Sequence, residues 1–81
     1  MRIKVKMPKL GLTMTEAKVL EWRKSVNYEV NAGEVLFVVE TEKANVEVEA
    51  PATGTLVEIV GEVGQVYPVG EILAVIRTVG P

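Results

Sequence analysis

Polar and apolar residues alternate strictly at the start of the chain, with Ile3, Val5 and Met7 on one side and Arg2, Lys4 and Lys6 on the other. That two-residue repeat is the pattern of a strand with one buried face. Further runs rich in β-branched or aromatic residues follow at Ala17 to Trp22, Val35 to Val39, Val46 to Ala50, Gly54 to Val60 and Ile72 to Arg77, each set off by Gly, Pro or Asn. No stretch carries a helical period. Leu10 to Thr15, with a glycine and two threonines and no alternation, reads as a loop between the first two strands. The pattern predicts an all-β domain.

Sliding the sequence on itself by 37 residues lays Glu16 to Thr41 over Thr53 to Thr78 and exposes an internal repeat. Identities fall at Glu21/Glu58, Val26/Val63, Gly33/Gly70, Glu34/Glu71, Leu36/Leu73, Val38/Val75 and Thr41/Thr78. The apolar pairs Val19/Leu56, Leu20/Val57, Val35/Ile72 and Val39/Ile76 keep the same core pattern. Strands this short make no stable sheet alone. Two similar halves packed face to face about a pseudo-twofold axis, as a flattened sandwich or barrel, are therefore expected.

Composition narrows the chemistry. With 81 residues the chain has room for one small core and no deep pocket. Nine basic against eleven acidic residues give a net charge of −2, which favours neither nucleic acid nor an anionic membrane. No apolar run is long enough to span a bilayer, and the alternating MRIKVKMP is unlike a secretory signal, so a cytoplasmic location is expected, or the mitochondrial matrix in a eukaryote. The absence of cysteine removes disulfides, thiolate metal sites and a thiol nucleophile, and the absence of histidine removes the usual general base. Neither a catalytic residue nor a metal site is expected.

The two halves part company after their shared threonine. Thr41 is followed by Glu42-Lys43-Ala44-Asn45 and another strand, whereas Thr78 is followed only by Val79-Gly80-Pro81. Lys43 therefore stands at a hairpin with no internal copy. Alternation turns Val46, Val48 and Ala50 inward and Glu47 and Glu49 outward, and sends the turn into water. A lone lysine on a β edge commonly deters aggregation, and Lys4, Lys6, Lys9, Lys18 and Lys24 take that assignment. Lys43 admits a second one, an attachment point loaded by another enzyme. It does not suit a Schiff base, which needs burial or a neighbouring cation, because its neighbours are Glu40 and Glu42. Trp22 is assigned to the core or its margin, Glu21 and Glu58 to solvated faces, and Gly33 and Gly70 to turns.

Met7-Pro8-Lys9-Leu10, the loop Gly11 to Glu16, Glu21-Trp22, Gly33-Glu34, Glu40-Thr41-Glu42-Lys43-Ala44, Ala50-Pro51, Gly54 and Pro68-Val69-Gly70 resemble the lipoyl domain of 2-oxo acid dehydrogenase complexes, over nearly the whole chain from Lys4 to Ile76. The resemblance implies a barrel-sandwich hybrid of two four-stranded sheets with quasi-twofold symmetry, occupying residues 1–78, with 79–81 as a tail or the start of a linker. It implies lipoic acid in amide linkage to Lys43 at the hairpin tip. Glu40, Thr41, Glu42 and Ala44 would be read by a lipoate ligase or lipoyl transferase. Glu42 stands where the family usually has aspartate, with the charge unchanged. Asn27-Tyr28 and Gly64-Gln65 replace the frequent Gly-Asp, and Asn27 can keep a left-handed turn. Ala17 stands where glycine is frequent.

The implied mechanism is a swinging arm, with no catalysis by the domain itself. A thiamin-diphosphate-dependent decarboxylase would acylate the arm, a coenzyme A acyltransferase core would take the acyl group, and a flavoprotein dihydrolipoyl dehydrogenase would reoxidise it. Tethering raises the local concentration of the acyl group at each site. Leu10, Gly11, Leu12, Thr13, Met14 and Thr15 would help the decarboxylase recognise the domain, and that run resembles pyruvate- or acetoin-type domains. For Leu12 and Met14, capping the core is an equal alternative. Three other assignments share the fold: a biotin carrier, whose lysine usually lies between two methionines; the glycine-cleavage carrier, a longer chain with extra helices; and an unmodified interaction module, which needs no lysine at its tip.

Overall fold

The computed structural model describes residues 1–78 and contains eight strands. They are β1 (Arg2–Lys6), β2 (Glu16–Trp22), β3 (Glu29–Val30), β4 (Val35–Glu40), β5 (Asn45–Glu49), β6 (Gly54–Ile59), β7 (Val66–Pro68) and β8 (Ile72–Arg77). No helix occurs among the described residues, so none is long enough to cross a membrane. The expected tail, 79–81, lies outside the described residues.

Two four-stranded antiparallel sheets form, in the orders β1-β8-β6-β3 and β5-β4-β2-β7. Three of the four positions are related by the 37-residue repeat, which carries β2 onto β6, β3 onto β7 and β4 onto β8, while β1 and β5 share the remaining edge position. Irregularities in the ladders repeat as well. The register slips between Val19 and Glu21 against β4, and between Leu56 and Glu58 against β8. Another slip, between Val35 and Phe37 against β5, has its counterpart where β1 passes from Ala74 to Ile72. Such a bulge leaves one residue unpaired and breaks strict alternation. Four consecutive residues are buried in β4 and in β8, Leu36 to Val39 and Leu73 to Ile76.

The core lies between the sheets, with Phe37, Met7, Leu36, Leu56, Leu73 and Ile76 among its fully buried members. Met7, Val5 and Val48 are buried and Ile3 and Val46 half-buried, as alternation predicts for the two outer strands. Trp22 closes one margin. Its ring lies 4.6 Å from that of Phe37, and its indole N–H donates to the Gly61 carbonyl at 2.8 Å.

The turns obey the repeat too. Gly33 and Gly70 both have φ 93°, and Asn27 (φ 78°) matches Gly64 (φ 89°). The Asn27 amide donates to the Leu56 carbonyl at 2.6 Å, as the Gly64 amide does to that of Val19 at 2.8 Å. Asparagine accepts a left-handed backbone more readily than other L residues, so the turn survives the loss of glycine.

Sequence periodicity misses β3 and β7, because two or three residues are too few to show alternation. They are nonetheless copies of one another, since Glu29-Val30 shifted by 37 falls on Val66-Tyr67.

Candidate functional site

β4 and β5 run antiparallel up to the pair Glu40↔Asn45, and Thr41 to Ala44 close the hairpin. Two-residue hairpin turns usually need positive φ to match the strand twist. Here Glu42 and Lys43 are not glycine, and the sole non-glycine residue with positive φ among those described is Asn27. A side chain makes up the difference. Thr41 Oγ1 accepts the amide N–H groups of Lys43 at 3.3 Å and Ala44 at 3.2 Å and donates to the Ala44 carbonyl at 2.9 Å, while the Thr41 amide donates to the same carbonyl at 2.9 Å. The threonine oxygen thus takes the acceptor role that a backbone carbonyl has in a regular hairpin. Lys43 is left exposed at the tip, on a backbone tied from below.

The symmetry-related end of the molecule makes the same closure without the loop. The Thr78 amide and hydroxyl donate to the Met1 carbonyl at 2.8 and 3.2 Å, as Thr41 does to Ala44. β1 therefore occupies the place that β5 has in the other half. Laid on β5 with an offset of 43, Ile3, Val5, Met7 and Pro8 fall on Val46, Val48, Ala50 and Pro51. The exposed positions reverse charge: Lys4 against Glu47, Lys6 against Glu49, Arg77 against Glu40, with Arg2 against neutral Asn45. Two ends of nearly the same backbone are told apart by electrostatics. The end that bears Lys43 is the acidic one.

Beside the tip runs an open groove of about 810 Å³. One wall is the loop from Leu10 to Thr15, the other is Thr41 to Ala44, and Glu16, Ala17, Lys18, Val46 and Val66 complete it. Pairing explains the convergence. Lys18 of β2 stands opposite Glu40 of β4 on one side and Val66 of β7 on the other. The loop is itself compact, with the Met14 amide donating to the Gly11 carbonyl at 3.2 Å and the Leu10 amide directed at Met14 Sδ at 3.2 Å.

The predicted site residues divide here. Glu42, Lys43 and Ala44 line the groove with Thr41 and the whole of Leu10 to Thr15. Glu40 does not join them and is exposed on the last residue of β4. Leu12 and Met14 separate as well: Met14 packs against the core, whereas Leu12 is 95% exposed and caps nothing. Val46, Val66 and Lys18 have no sequence motif to announce them; strand pairing alone brings them to the groove. Lys24 departs from its expected role as a solvated edge lysine. It is half-buried and pairs with Glu34 at 3.2 Å. The Asn31 amide and then Lys24 hold the Glu34 carboxyl below its ordinary range.

A second shallow surface, of about 700 Å³, lies over Leu20, Val38 and Glu49. Its guanidinium, Arg23, is engaged with Glu21 at 3.0 Å and Glu47 at 3.2 Å, so its charge is matched locally. Among the described residues no three His, Cys, Asp or Glu converge to hold a metal ion. The chemically distinctive feature is an exposed primary amine at a tied hairpin tip, with room on one side for an elongated apolar group.

A family model described as "Biotin-requiring enzyme" matches residues 3–76. The dihydrolipoyllysine-residue acetyltransferase component of the acetoin cleaving system of Bacillus subtilis is 41% identical over 70 residues, 86% of this chain and 18% of that protein. The corresponding component of the pyruvate dehydrogenase complex of Rickettsia bellii is 44% identical over 77 residues, 94% of this chain and 18% of that protein. The chain thus spans about a fifth of the length of these curated relatives. The solution structure of the lipoyl domain of the 2-oxoglutarate dehydrogenase complex from Azotobacter vinelandii superimposes with a TM-score of 0.77 at 31% identity, covering 96% of this chain and 99% of that one.

Proposed function

Because the chain belongs to the biotin- and lipoyl-attachment family and is a lipoyl domain within it, we propose that Lys43 carries lipoic acid in amide linkage and serves as the acyl-carrying arm of a dihydrolipoamide acyltransferase. The pyruvate and acetoin systems of the relatives support a complex of that type. The single observation that carries the assignment is the placing of Lys43, exposed at a hairpin tip whose turn is tied by Thr41 Oγ1.

When bound, the lipoyl group supplies a reducible disulfide able to take up an acyl group and electrons. The chain's own residues do the mechanical work. β4 and β5 form a stiff base, Thr41 holds the peptide of Lys43, and exposure lets the amine enter the active site of a loading enzyme. That enzyme, a lipoate ligase or lipoyl transferase, supplies the activated acid, so the domain needs no catalytic group of its own. Glu42 and Ala44 flank the amine and are offered to it directly, with Glu40 one step below on β4. A tethered arm reaches its partners at high effective concentration provided its base does not yield. Those partners are a thiamin-diphosphate-dependent decarboxylase, an acyltransferase core and a dihydrolipoyl dehydrogenase. Leu10 to Thr15 share a groove with the tip, which supports a role in decarboxylase recognition.

The test is intact mass after co-expression with a lipoate ligase in lipoate-supplied cells, for the native chain and for Lys43→Gln. One lipoyl group gained by the first and none by the second is the expected result. A biotin-sized gain, or no gain, overturns it.

A further inference from the structure

The groove beside Lys43 is open and of mixed character, with Leu10, Leu12 and Met14 alternating with polar or small residues along its loop wall. Leu12 is 95% exposed, Leu10 40% and Val66 48%, and they stand with half-buried Met14 and Val46 around one depression. A single exposed leucine means little, since more than half of an ordinary protein surface is apolar. Three exposed apolar side chains beside two half-buried ones are a different matter even among the polar Thr13, Glu16, Lys18 and Glu42 of the same lining, because the apolar part gains by being covered.

Lys43 identifies the cover. It lines the same groove, so a group joined to its side chain is held next to the depression. A lipoyl group, eight carbons of which the last three close a dithiolane, is apolar, elongated and soft, and the half-buried Met14 thioether, which accepts the Leu10 amide at 3.2 Å, forms part of the wall it would meet. The compact Gly11–Met14 turn holds the loop wall in place without the occupant. The opposite wall is the tied turn itself. Tethering means that even weak contact populates the bound state.

We propose that this groove is a resting site for the lipoyl group on Lys43, with Leu12, Met14 and Val66 as its apolar contacts, so that the arm exchanges between a docked and a free position. The proposal rests on the lipoyl assignment of Lys43. It gives Leu12 a role within the domain, independent of any partner. Docking also limits access of other solutes to the disulfide until the arm is drawn off.

Methyl NMR of the chain before and after lipoylation tests it, with modification verified by intact mass. Methyl signals of Leu12, Met14 and Val66 are expected to shift and to show cross-relaxation to the arm, while core methyls of Leu56 and Leu73 stay still. If the docked and free states are populated about two to one, reduction of the disulfide by a water-soluble phosphine slows about threefold against free lipoamide. Leu12→Ser, which alters a side chain in contact with little else, should return the rate towards that of lipoamide. Methyl shifts confined to Thr41 and Ala44, with reduction at the lipoamide rate, overturn the proposal and leave the loop as a surface for partners only. A ligase that does not modify Lys43 leaves the groove testable. The chain has no cysteine, so Lys43→Cys alkylated with a haloacetamide of the same dithiolane chain places one arm at the tip. Shifts in that conjugate support the groove, and their absence refutes it, whatever the ligase does.

Discussion

Replacing Thr41 by valine keeps the shape of the side chain and removes one oxygen, which is the atom that ties the turn. Three hydrogen bonds end at that oxygen, and two of them are long, at 3.2 and 3.3 Å. The amides of Lys43 and Ala44 are exposed, so water takes over when Oγ1 goes, and the Ala44 carbonyl keeps the Thr41 amide at 2.9 Å. With a net value of about 0.5–1.5 kcal/mol for a protein hydrogen bond and solvent available to each freed group, the loss should total about 1 kcal/mol. For a domain of this length that is a fall of about 5 °C in Tm, measured by circular dichroism. The same free energy acts on the turn. If the tied conformation is the one a ligase accepts, the ratio of tied to untied turn should fall about fivefold, and the initial rate of lipoylation should drop by at most that factor. Thr41→Ser retains the oxygen and should recover most of both. The molecule contains its own comparison: Thr78→Val removes the matching hydroxyl at the opposite end and should leave lipoylation unchanged. Lipoylation of Thr41→Val at the native rate, or failure of serine to restore it, would refute the view that this oxygen sets the presentation of Lys43.

Gly54→Ala should be the most damaging conservative change, since a Cβ there would overlap the Arg77 carbonyl and come within 2.9 Å of Ile76 Cγ2; urea unfolding should register a loss on the order of 3 kcal/mol, and a native-like midpoint would mean that β6 and β8 can separate freely. Trp22→Phe leaves the Gly61 carbonyl without its 2.8 Å donor in a half-buried place, so a loss of about 1–2 kcal/mol is expected in the same assay. Asn27→Ala should lower stability by about 1 kcal/mol and Asn27→Gly should not, because only the left-handed φ of 78° distinguishes them. For Glu34 the folded carboxyl titrates lower than the unfolded one, held down first by the Asn31 amide and then by Lys24. Its contribution is therefore present above the unfolded value near pH 4.3 and lost as pH falls through the folded value. Stability measured from pH 6 to pH 3 should fall more gently in Glu34→Gln than in the native chain, and equal slopes would contradict the pairing.

Much of this protein is readable along one dimension because its information is periodic or local. Alternation marks the outer strands, a fixed shift reveals the two halves, and Glu40-Thr41-Glu42-Lys43-Ala44 marks the tip by resemblance. Left-handed turns are local too, so Gly33, Gly70 and Asn27 could be placed before any fold was known. The match of Arg2–Pro8 to Asn45–Pro51 was also written in the chain, but its 43-residue offset differs from the repeat and becomes meaningful only when β1 is seen beside β8.

Tertiary structure decided what depends on distant partners. Lys24 finds Glu34, the Trp22 indole finds Gly61, and Met14 turns to the core while Leu12, two residues away, stays in water. Each outcome compares burial or pairing with solvation at a place that other segments build, and one residue's neighbours in sequence carry no record of it. The same holds for the groove. β2 is paired on one side with β4 and on the other with β7, and only that pairing brings Val66 and the Leu10–Thr15 loop to the side of Lys43. The exposed amine at the hairpin tip is a property of the sequence; the surface next to it is a property of the fold.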